Sequence, residues 1–255
     1  MKARFATEAD LCRAFLSCLP KEWTAYSETG GFDILLVHNK SGHQVGIEAK
    51  LTLNAKVIAQ AVNGRHSIYT DQGPDYRGVL VGHIVADNLP LAKALNINVI
   101  ELRRSENMRT FKLNIGSKLP SFRKYDGTSR WLDTNGWHDE APEVRLVLPE
   151  YIPDSEPGHP SPQVLSDWKI KAIRVCIYVS KHKTISRKVF RALRIDPGRW
   201  MTGYWLKRAD TRGDWVAGPY FPIDKYRASH PTVFDHIEND YQKWMADAKL
   251  EEPTT

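Results

Sequence analysis

The chain contains little cysteine: only Cys12, Cys18 and Cys176 occur among its 255 residues. Three thiols so widely separated build neither a disulfide framework nor a paired CxxC zinc site. The sequence therefore predicts a reduced protein. Its length is sufficient for one large domain or two smaller ones, and either can bury a hydrophobic core.

Long apolar runs are also missing. No stretch approaches the roughly 18 consecutive apolar residues of a transmembrane helix, although 42% of the residues are hydrophobic. The first residues, MKARFATEADLCRAFL, include acids where a signal peptide has an apolar segment. We therefore expect a cytoplasmic protein with no membrane partner.

The short motifs of several enzyme classes are absent from the sequence. It contains no GxGxxG, no GxxxxGK[ST], no HExxH and no GxSxG. The nine histidines are scattered, without a metal-ligand spacing shared with cysteine. The sequence therefore gives no motif support for a dinucleotide-binding protein, a P-loop NTPase, a zinc protease or an α/β-hydrolase.

A net charge of +6, from 36 basic and 30 acidic side chains, conceals an uneven distribution. Residues 1–103 hold 11 basic and 10 acidic side chains, whereas residues 166–212 hold 13 and 3, a net charge of +10. Such a basic block is a candidate surface for a polyanion such as DNA. A solvated basic helix face is the alternative interpretation.

Residues 1–103 show a regular succession of elements. Apolar spacing predicts a helix over residues 7–19, then three strands, a helix over residues 54–68, a strand, a short helix and a final strand. The second and third strands would form a hairpin through NKSGH. This order is typical of an α/β sandwich with a mixed sheet.

Asp33, Glu48 and Lys50 carry the strongest chemical signal. Glu48 and Lys50 are two residues apart in one strand and share a face. In a hairpin, Asp33 of the preceding strand would lie beside Glu48, and two carboxylates would then converge to hold Mg²⁺. The alternative is that Asp33 caps a turn while Glu48 and Lys50 are ordinary solvent-facing residues.

The arrangement resembles the PD-(D/E)XK phosphodiesterases, the restriction-endonuclease-like superfamily. The motif reads Phe32-Asp33, 14 intervening residues, then Glu48-Ala49-Lys50, with Phe where the family usually has Pro. The resemblance implies Asp33, Glu48 and the Ala49 carbonyl as ligands of Mg²⁺, for which Mn²⁺ would substitute. It implies that Lys50 acts on the attacking water.

Three further polar residues match this resemblance less closely. Glu8 stands on the first helix, where many of these nucleases carry an extra acid that helps to hold the metal. Gln60 follows Lys50 by ten residues, where such folds present a polar residue to the catalytic site. Glu28 would reach the site from a strand end. The alternatives are a first-turn acid facing the helix dipole for Glu8 and a plain exposed position for Gln60.

A proline-rich segment marks the predicted domain boundary. LPEYIPDSEPGHPSPQ contains five prolines in 16 residues, as semi-rigid linkers do. We therefore predict a nuclease-like domain over residues 1–148, with its core in 1–103 and an extension beyond it. A linker over 149–163 and a mainly helical domain over 164–255 would follow.

The last domain is predicted to begin with three helices and a turn between two short extended segments. The first two helices would be capped by Ser166 and Ser186, and the third would run from Pro197 to about Lys207. DTRGDW would be the turn. In element order and charge this pattern resembles winged helix-turn-helix domains, which bind DNA.

That resemblance implies a set of DNA-contacting residues on the second helix, the third helix and the wing tip. They are Arg187, Lys188, Arg191, Arg199, Thr202, Tyr204, Lys207 and Arg212. Basic side chains there would neutralise phosphates of double-stranded DNA. A solvated basic face, or a winged helix that binds protein, is the alternative, and core packing is the alternative for the tryptophans.

The two resemblances together predict a Mg²⁺-dependent DNA endonuclease that is directed to DNA by its winged helix. A non-enzymatic DNA-binding regulator on a degenerate nuclease scaffold is the second hypothesis. An RNA-processing nuclease or a protein-interaction adaptor is the third. A homodimer, which would allow cutting of both strands, is left open by the sequence.

Overall fold

The computed structural model describes residues 5–63, 72–104, 111–114, 119–120, 135–154 and 165–250. None of the helices in these ranges is both long and apolar enough to cross a membrane. The chain divides into two compact units, Met1–Leu148 with Ser155–Pro162 and Pro149–Asp154 with Gln163–Thr255.

The segment predicted as a linker over residues 149–163 is described as far as Asp154. Pro149–Asp154 belong to the second unit, where Tyr151 is buried and its hydroxyl donates to Asp240 Oδ2 at 3.1 Å. Residues 155–163 lie outside the described residues. The described part of the segment is therefore packed against the second unit.

The first unit is built on a six-stranded sheet with helices on both faces. Its elements are α1 (Glu8–Ser17), β1 (Trp23–Thr29), β2 (Phe32–His38), β3 (Gln44–Thr52), α2 (Ala55–Val62), β4 (Gln72–Gly73), β5 (Tyr76–His83), α3 (Leu89–Ala94), β6 (Asn98–Arg104), β7 (Phe111–Asn114) and β8 (Val144–Arg145). The sheet has the order β1-β2-β3-β5-β6-β7. Strands β3, β5 and β6 are parallel, and the other neighbours are antiparallel. The predicted mixed α/β class is thus confirmed.

Alternate residues of the central strands supply two separate cores. Leu11 and Phe15 of α1 pack on the face of Ile47, and all three side chains are fully buried. On the opposite face, Val57 of α2 packs with Val79 of β5. Fully burying a side chain of this size contributes about 2 kcal/mol, so the sheet is stabilised from both sides.

Helix α1 begins at a capping box that Thr7 and Asp10 form. The Thr7 side chain accepts a hydrogen bond from the Asp10 backbone, and the Asp10 carboxylate accepts one from the Thr7 backbone. Helix α2 begins after Asn54, whose side chain accepts from Val57 N at 3.0 Å. Helix α2 ends at Val62, before the predicted residue 68, because Asn63 leaves the helical conformation with ψ 138°; residues 64–68 lie outside the described residues.

The extension after the sheet is fixed to the hairpin by a buried acid. Arg145 of β8 donates to both carboxylate oxygens of Asp75, at 2.8 and 2.9 Å. Asp75 also accepts from Gln44 N at 2.7 Å, and the Gln44 side chain exchanges two hydrogen bonds with the backbone of Leu146. This segment, which shows little periodicity in the sequence, is therefore part of the first unit.

The second unit combines helices with a small antiparallel sheet. Its elements are α4 (Asp167–His182), β9 (Thr184–Ser186), α5 (Arg187–Ala192), α6 (Gly198–Thr202), β10 (Leu206–Arg208), β11 (Asp214–Ala217), α7 (Ile223–Ser229), α8 (Pro231–Asn239) and α9 (Tyr241–Asp247). The sheet has the order β10-β11-β9. Its core is rich in aromatic side chains, and Trp200, Phe234 and Trp244 are at most 2% exposed.

Two helices of this unit differ from their predicted lengths. The third helix, predicted from Pro197 to about Lys207, ends at Thr202 because the backbone turns left-handed at Tyr204, with φ +54°, and Leu206 pairs with Ala217 in a hairpin. Apolar spacing in FDHIENDYQKWMADAKL predicts a single amphipathic helix, which the structure divides into α8 and α9 at Asp240, although the residues of its apolar stripe, Phe234, Ile237, Tyr241, Trp244 and Met245, are buried.

Candidate functional site

Asp33 and Glu48 lie side by side on the paired strands β2 and β3. The register that pairs Ile34 of β2 with Ile47 of β3 brings Asp33 opposite Glu48. The Ala49 N–H donates to Asp33 Oδ2 at 2.7 Å, so the carboxylate is anchored to the backbone of the neighbouring strand. The sequence hypothesis that these two acids converge agrees with this geometry.

Both carboxylates are held in surroundings that disfavour their charge. Glu48 is 6% exposed, and burial together with the neighbouring Asp33 and Glu28 raises its pKa to about 8. Burial also raises the pKa of Asp33, against the Ala49 hydrogen bond that lowers it. Two adjacent acids with raised pKa values are a common feature of sites that bind a cation or transfer protons.

Lys50 forms an ion pair with Glu8 next to these acids. Its Nζ lies 2.5 Å from Glu8 Oε1, and the two side chains are 32% and 29% exposed. The Lys50 charge lowers the pKa values of both Asp33 and Glu48, which places it within electrostatic reach of the acid pair. The structure therefore brings four predicted residues together: Glu8, Asp33, Glu48 and Lys50.

Arg77 supports the site and was not singled out from the sequence. It is 5% exposed on β5, and its Nη1 donates to the carbonyl oxygens of Ala61 and Asn63 at 2.9 and 2.8 Å. Its positive charge lowers the pKa of Glu48, in opposition to burial. The only signal in the sequence is one arginine near the start of the largely apolar strand YRGVLVGH.

The Phe32 ring takes part in the same support. It lies between the Arg77 guanidinium, at 5.3 Å from the ring centroid, and the backbone of Gly46. A Cβ at position 46 would lie 2.6 Å from the ring, so only glycine allows this approach. The aromatic ring at the position before Asp33 is thus packed into the fold.

We expect Gly46→Ala to destabilise the protein by about 1–3 kcal/mol, because the Phe32 ring must move to admit the methyl group. Urea denaturation followed by hydrogen exchange of β2 and β3 would measure the loss. The double variant Gly46→Ala with Phe32→Leu should be less destabilised than the sum of the two single changes. Additive losses would show that the ring and residue 46 do not interfere.

Two other predicted site residues are placed differently from the acid pair. Gln60 is exposed on α2, and among the described residues no hydrogen bond joins its side chain to Asp33, Glu48 or Lys50. Glu28 lies near the end of β1 with φ +48°, and its charge raises the pKa of Glu48. Glu28 thus interacts electrostatically with the acid pair, whereas Gln60, within the part of the chain that the structure describes, makes no hydrogen bond to it.

The eight predicted DNA-contacting side chains are all exposed. Arg187, Lys188 and Arg191 lie on α5, as predicted, and Arg212 lies in the loop between β10 and β11. The other four occupy α6 and the segment after it, namely Arg199 and Thr202 on α6, Tyr204 beyond its end and Lys207 on β10. The shortened helix therefore separates Tyr204 and Lys207 from the predicted reading helix.

Arg199 is engaged within the second unit. Its guanidinium lies 4.7 Å from the Trp168 ring centroid and 5.7 Å from that of Trp205. Such cation–π contacts contribute about 0.5–1 kcal/mol at exposed sites. Arg199 therefore covers the faces of two tryptophans in addition to any contact with a ligand.

Comparisons with protein-family models, curated proteins and solved structures found no match to this chain. The chemistry of the site therefore rests on its own donors. Within the described residues, no group of three His, Cys, Asp or Glu side chains is arranged to hold a metal ion. The paired carboxylates of Asp33 and Glu48 nevertheless fit a hard divalent cation, which prefers oxygen ligands and would relieve their mutual repulsion.

Proposed function

We propose that the protein is a Mg²⁺-dependent DNA endonuclease of the PD-(D/E)XK type, directed by a winged-helix unit. The observation that carries the proposal is the pairing of Asp33 with Glu48. A half-buried and a buried carboxylate, both with raised pKa values, stand next to each other and beside a lysine. Adjacent carboxylates that are removed from water destabilise a fold unless a bound cation neutralises their charge.

Each side chain has a defined task in this proposal. Mg²⁺, held by Asp33, Glu48 and the Ala49 carbonyl, would supply positive charge to the phosphate and lower the pKa of water. The Ala49 N–H fixes the Asp33 carboxylate. Lys50 offers a cation to the attacked phosphate, and Glu8 orients its ammonium group.

The second unit supports DNA as the substrate. Its order of helix α4, strand β9, helices α5 and α6 and the hairpin β10–β11 follows the order of elements in a winged helix-turn-helix. The central position of β11 between β10 and β9 agrees with that pattern. Exposed basic side chains on α5 and at the hairpin loop would contact phosphates and position the duplex.

The test is cleavage by the purified full chain. Supercoiled plasmid, linear duplex and branched DNA are each incubated with Mg²⁺, with Mn²⁺ and with EDTA. We expect cleavage of at least one substrate with either metal and none with EDTA. Failure to cut any of the three with either metal would contradict the proposal.

A DNA-binding regulator is the second candidate, and the Lys50–Glu8 ion pair favours it. The ammonium group that catalysis requires is already paired with an acid at 2.5 Å. Calorimetry with Mn²⁺ separates the two functions. Binding that disappears in Asp33→Ala and Glu48→Ala supports the nuclease, whereas duplex binding without any Mn²⁺ binding supports the regulator.

A further inference from the structure

Tyr204 and Tyr220 are the two exposed residues among the phenylalanine, tyrosine and tryptophan side chains that the structure describes. They expose 67% and 69% of their surface, while the others in that set are buried or half-buried. Neither side chain makes a hydrogen bond or a ring contact with another described residue. Their rings are therefore available to a ligand.

The backbone holds these two tyrosines next to each other. Tyr220 N donates to Tyr204 O at 3.3 Å, and Gly218 N donates to Trp205 O at 2.8 Å. A Cβ at position 218 would lie 2.4 Å from Tyr204 O, so the approach of the two segments requires a glycine there. The pair is thus positioned by the fold.

Tyr204 also adopts a conformation that its residue type disfavours. Its φ of +54° lies in the left-handed region, where glycine is the usual residue and a bulky side chain is strained. Strained residues concentrate at binding and catalytic sites, because the surrounding structure enforces them there. The strain directs an aromatic ring to the surface at this point.

Positive charge is close to the pair in the chain. Lys207 and Arg208 of β10 are exposed, as is Arg212 in the loop that follows. They belong to the block over residues 166–212, with its net charge of +10. Exposed aromatic rings beside cations are the combination by which proteins hold single-stranded nucleic acid, since the rings stack on bases and the cations contact phosphates.

We propose that Tyr204 and Tyr220 form a stacking platform for unpaired DNA bases. A base within a duplex is covered on both faces by its neighbours, so a protein ring stacks only on a base that is unpaired or splayed out. The second unit therefore favours DNA in which a single-stranded segment adjoins a duplex. The inference rests on the proposed function, because it takes DNA as the ligand.

The test compares a blunt duplex with the same duplex carrying a single-stranded tail. Fluorescence anisotropy with the full chain in EDTA measures binding without cleavage. We expect the wild type to prefer the tailed DNA. Tyr204→Leu with Tyr220→Leu should weaken binding to the tailed DNA by about tenfold and change duplex binding by less than about twofold.

Two control variants separate stacking from other causes. Tyr204→Phe with Tyr220→Phe keeps both rings and should keep the affinity for tailed DNA. Arg187→Ala with Lys188→Ala removes two phosphate contacts and should weaken binding to both DNAs alike. Thermal unfolding checks that each variant is folded.

The outcomes distinguish the two proposals. Equal wild-type affinity for the two DNAs, or equal losses on both in the leucine variant, would overturn the stacking platform alone. A loss in the phenylalanine variant as large as in the leucine variant would also overturn it, because the hydroxyl groups would then carry the contact. Wild-type protein that binds neither DNA overturns this inference and the proposed function together.

Discussion

Asp33→Asn is expected to lower Mg²⁺-dependent DNA cleavage by at least about a hundredfold while leaving DNA affinity in EDTA unchanged. Asparagine has the shape of aspartate, and its side-chain oxygen still accepts the hydrogen bond that Ala49 N donates at 2.7 Å. The fold is therefore kept, and the lost negative charge is the main change. Single-turnover cleavage and anisotropy with the same DNA measure the two effects.

Matched variants make this result specific. Asp87→Asn alters an exposed acid of the same unit and should cleave as the wild type does. Lys50→Ala should also lower cleavage strongly, because it removes the cation beside the acid pair. Asp33→Asn protein that cuts at the wild-type rate would contradict a role for Asp33 in the reaction.

Contacts between near neighbours in the chain are the part of the site that the sequence predicts well. Asp33 and Glu48 are joined by a hairpin, so alternation and a short turn suffice to bring them together. Glu8 is related to the site only through the family resemblance, as an extra acid that helps to hold the metal. Its ion pair with Lys50, which spans 42 positions, is not predicted by the sequence.

Contacts made across the fold without such a pattern could not be predicted. Arg77 reaches the end of α2, and Arg145 reaches Asp75 across 70 positions. Each of these contacts depends on the order of the strands in the sheet, and hydrophobic periodicity does not specify that order. Sequence reasoning therefore found the acids but not the buried arginine that opposes their repulsion.

The shortened α6 shows a different limit. Helical spacing extends through Tyr204 to Lys207, but the backbone turns left-handed at Tyr204 and Leu206 pairs with Ala217 in the hairpin. Strand β9 has no signal of its own in the sequence for a related reason, since its three residues form a strand only beside β11. Short elements whose partners lie later in the chain are set by tertiary contacts.

Glu48 is expected to make the metal-free first unit less stable as the pH rises. Burial raises its pKa from the ordinary 4.5 to about 8, so the native state binds this proton more tightly than the unfolded state does. The free energy of unfolding therefore falls between these two pH values and levels off above pH 8. The full effect is at most about 5 kcal/mol, and Asp33, whose pKa is also raised, changes in the same direction.

Glu48→Gln removes this titration while keeping the shape of the side chain. We expect the variant to lose less stability than the wild type between about pH 5 and about pH 8, and to be the more stable protein at the upper value. Mg²⁺ at about pH 8 should stabilise the wild type, since it binds the ionised carboxylate, and should have little effect on the variant. In the wild type, Mg²⁺ binding thus offsets the loss of stability that ionisation of Glu48 causes.

Hydrogen exchange of peptides from β2 and β3, in EDTA and with Mg²⁺, reports the opening of the first unit separately from the second. Glu22→Gln changes an exposed acid of the same unit and should follow the wild type at every pH. Parallel pH profiles for the wild type and Glu48→Gln would contradict a buried, high-pKa carboxylate at this position. Equal protection of both proteins by Mg²⁺ would mean that the cation binds elsewhere, because Glu48 is the ligand that the variant removes.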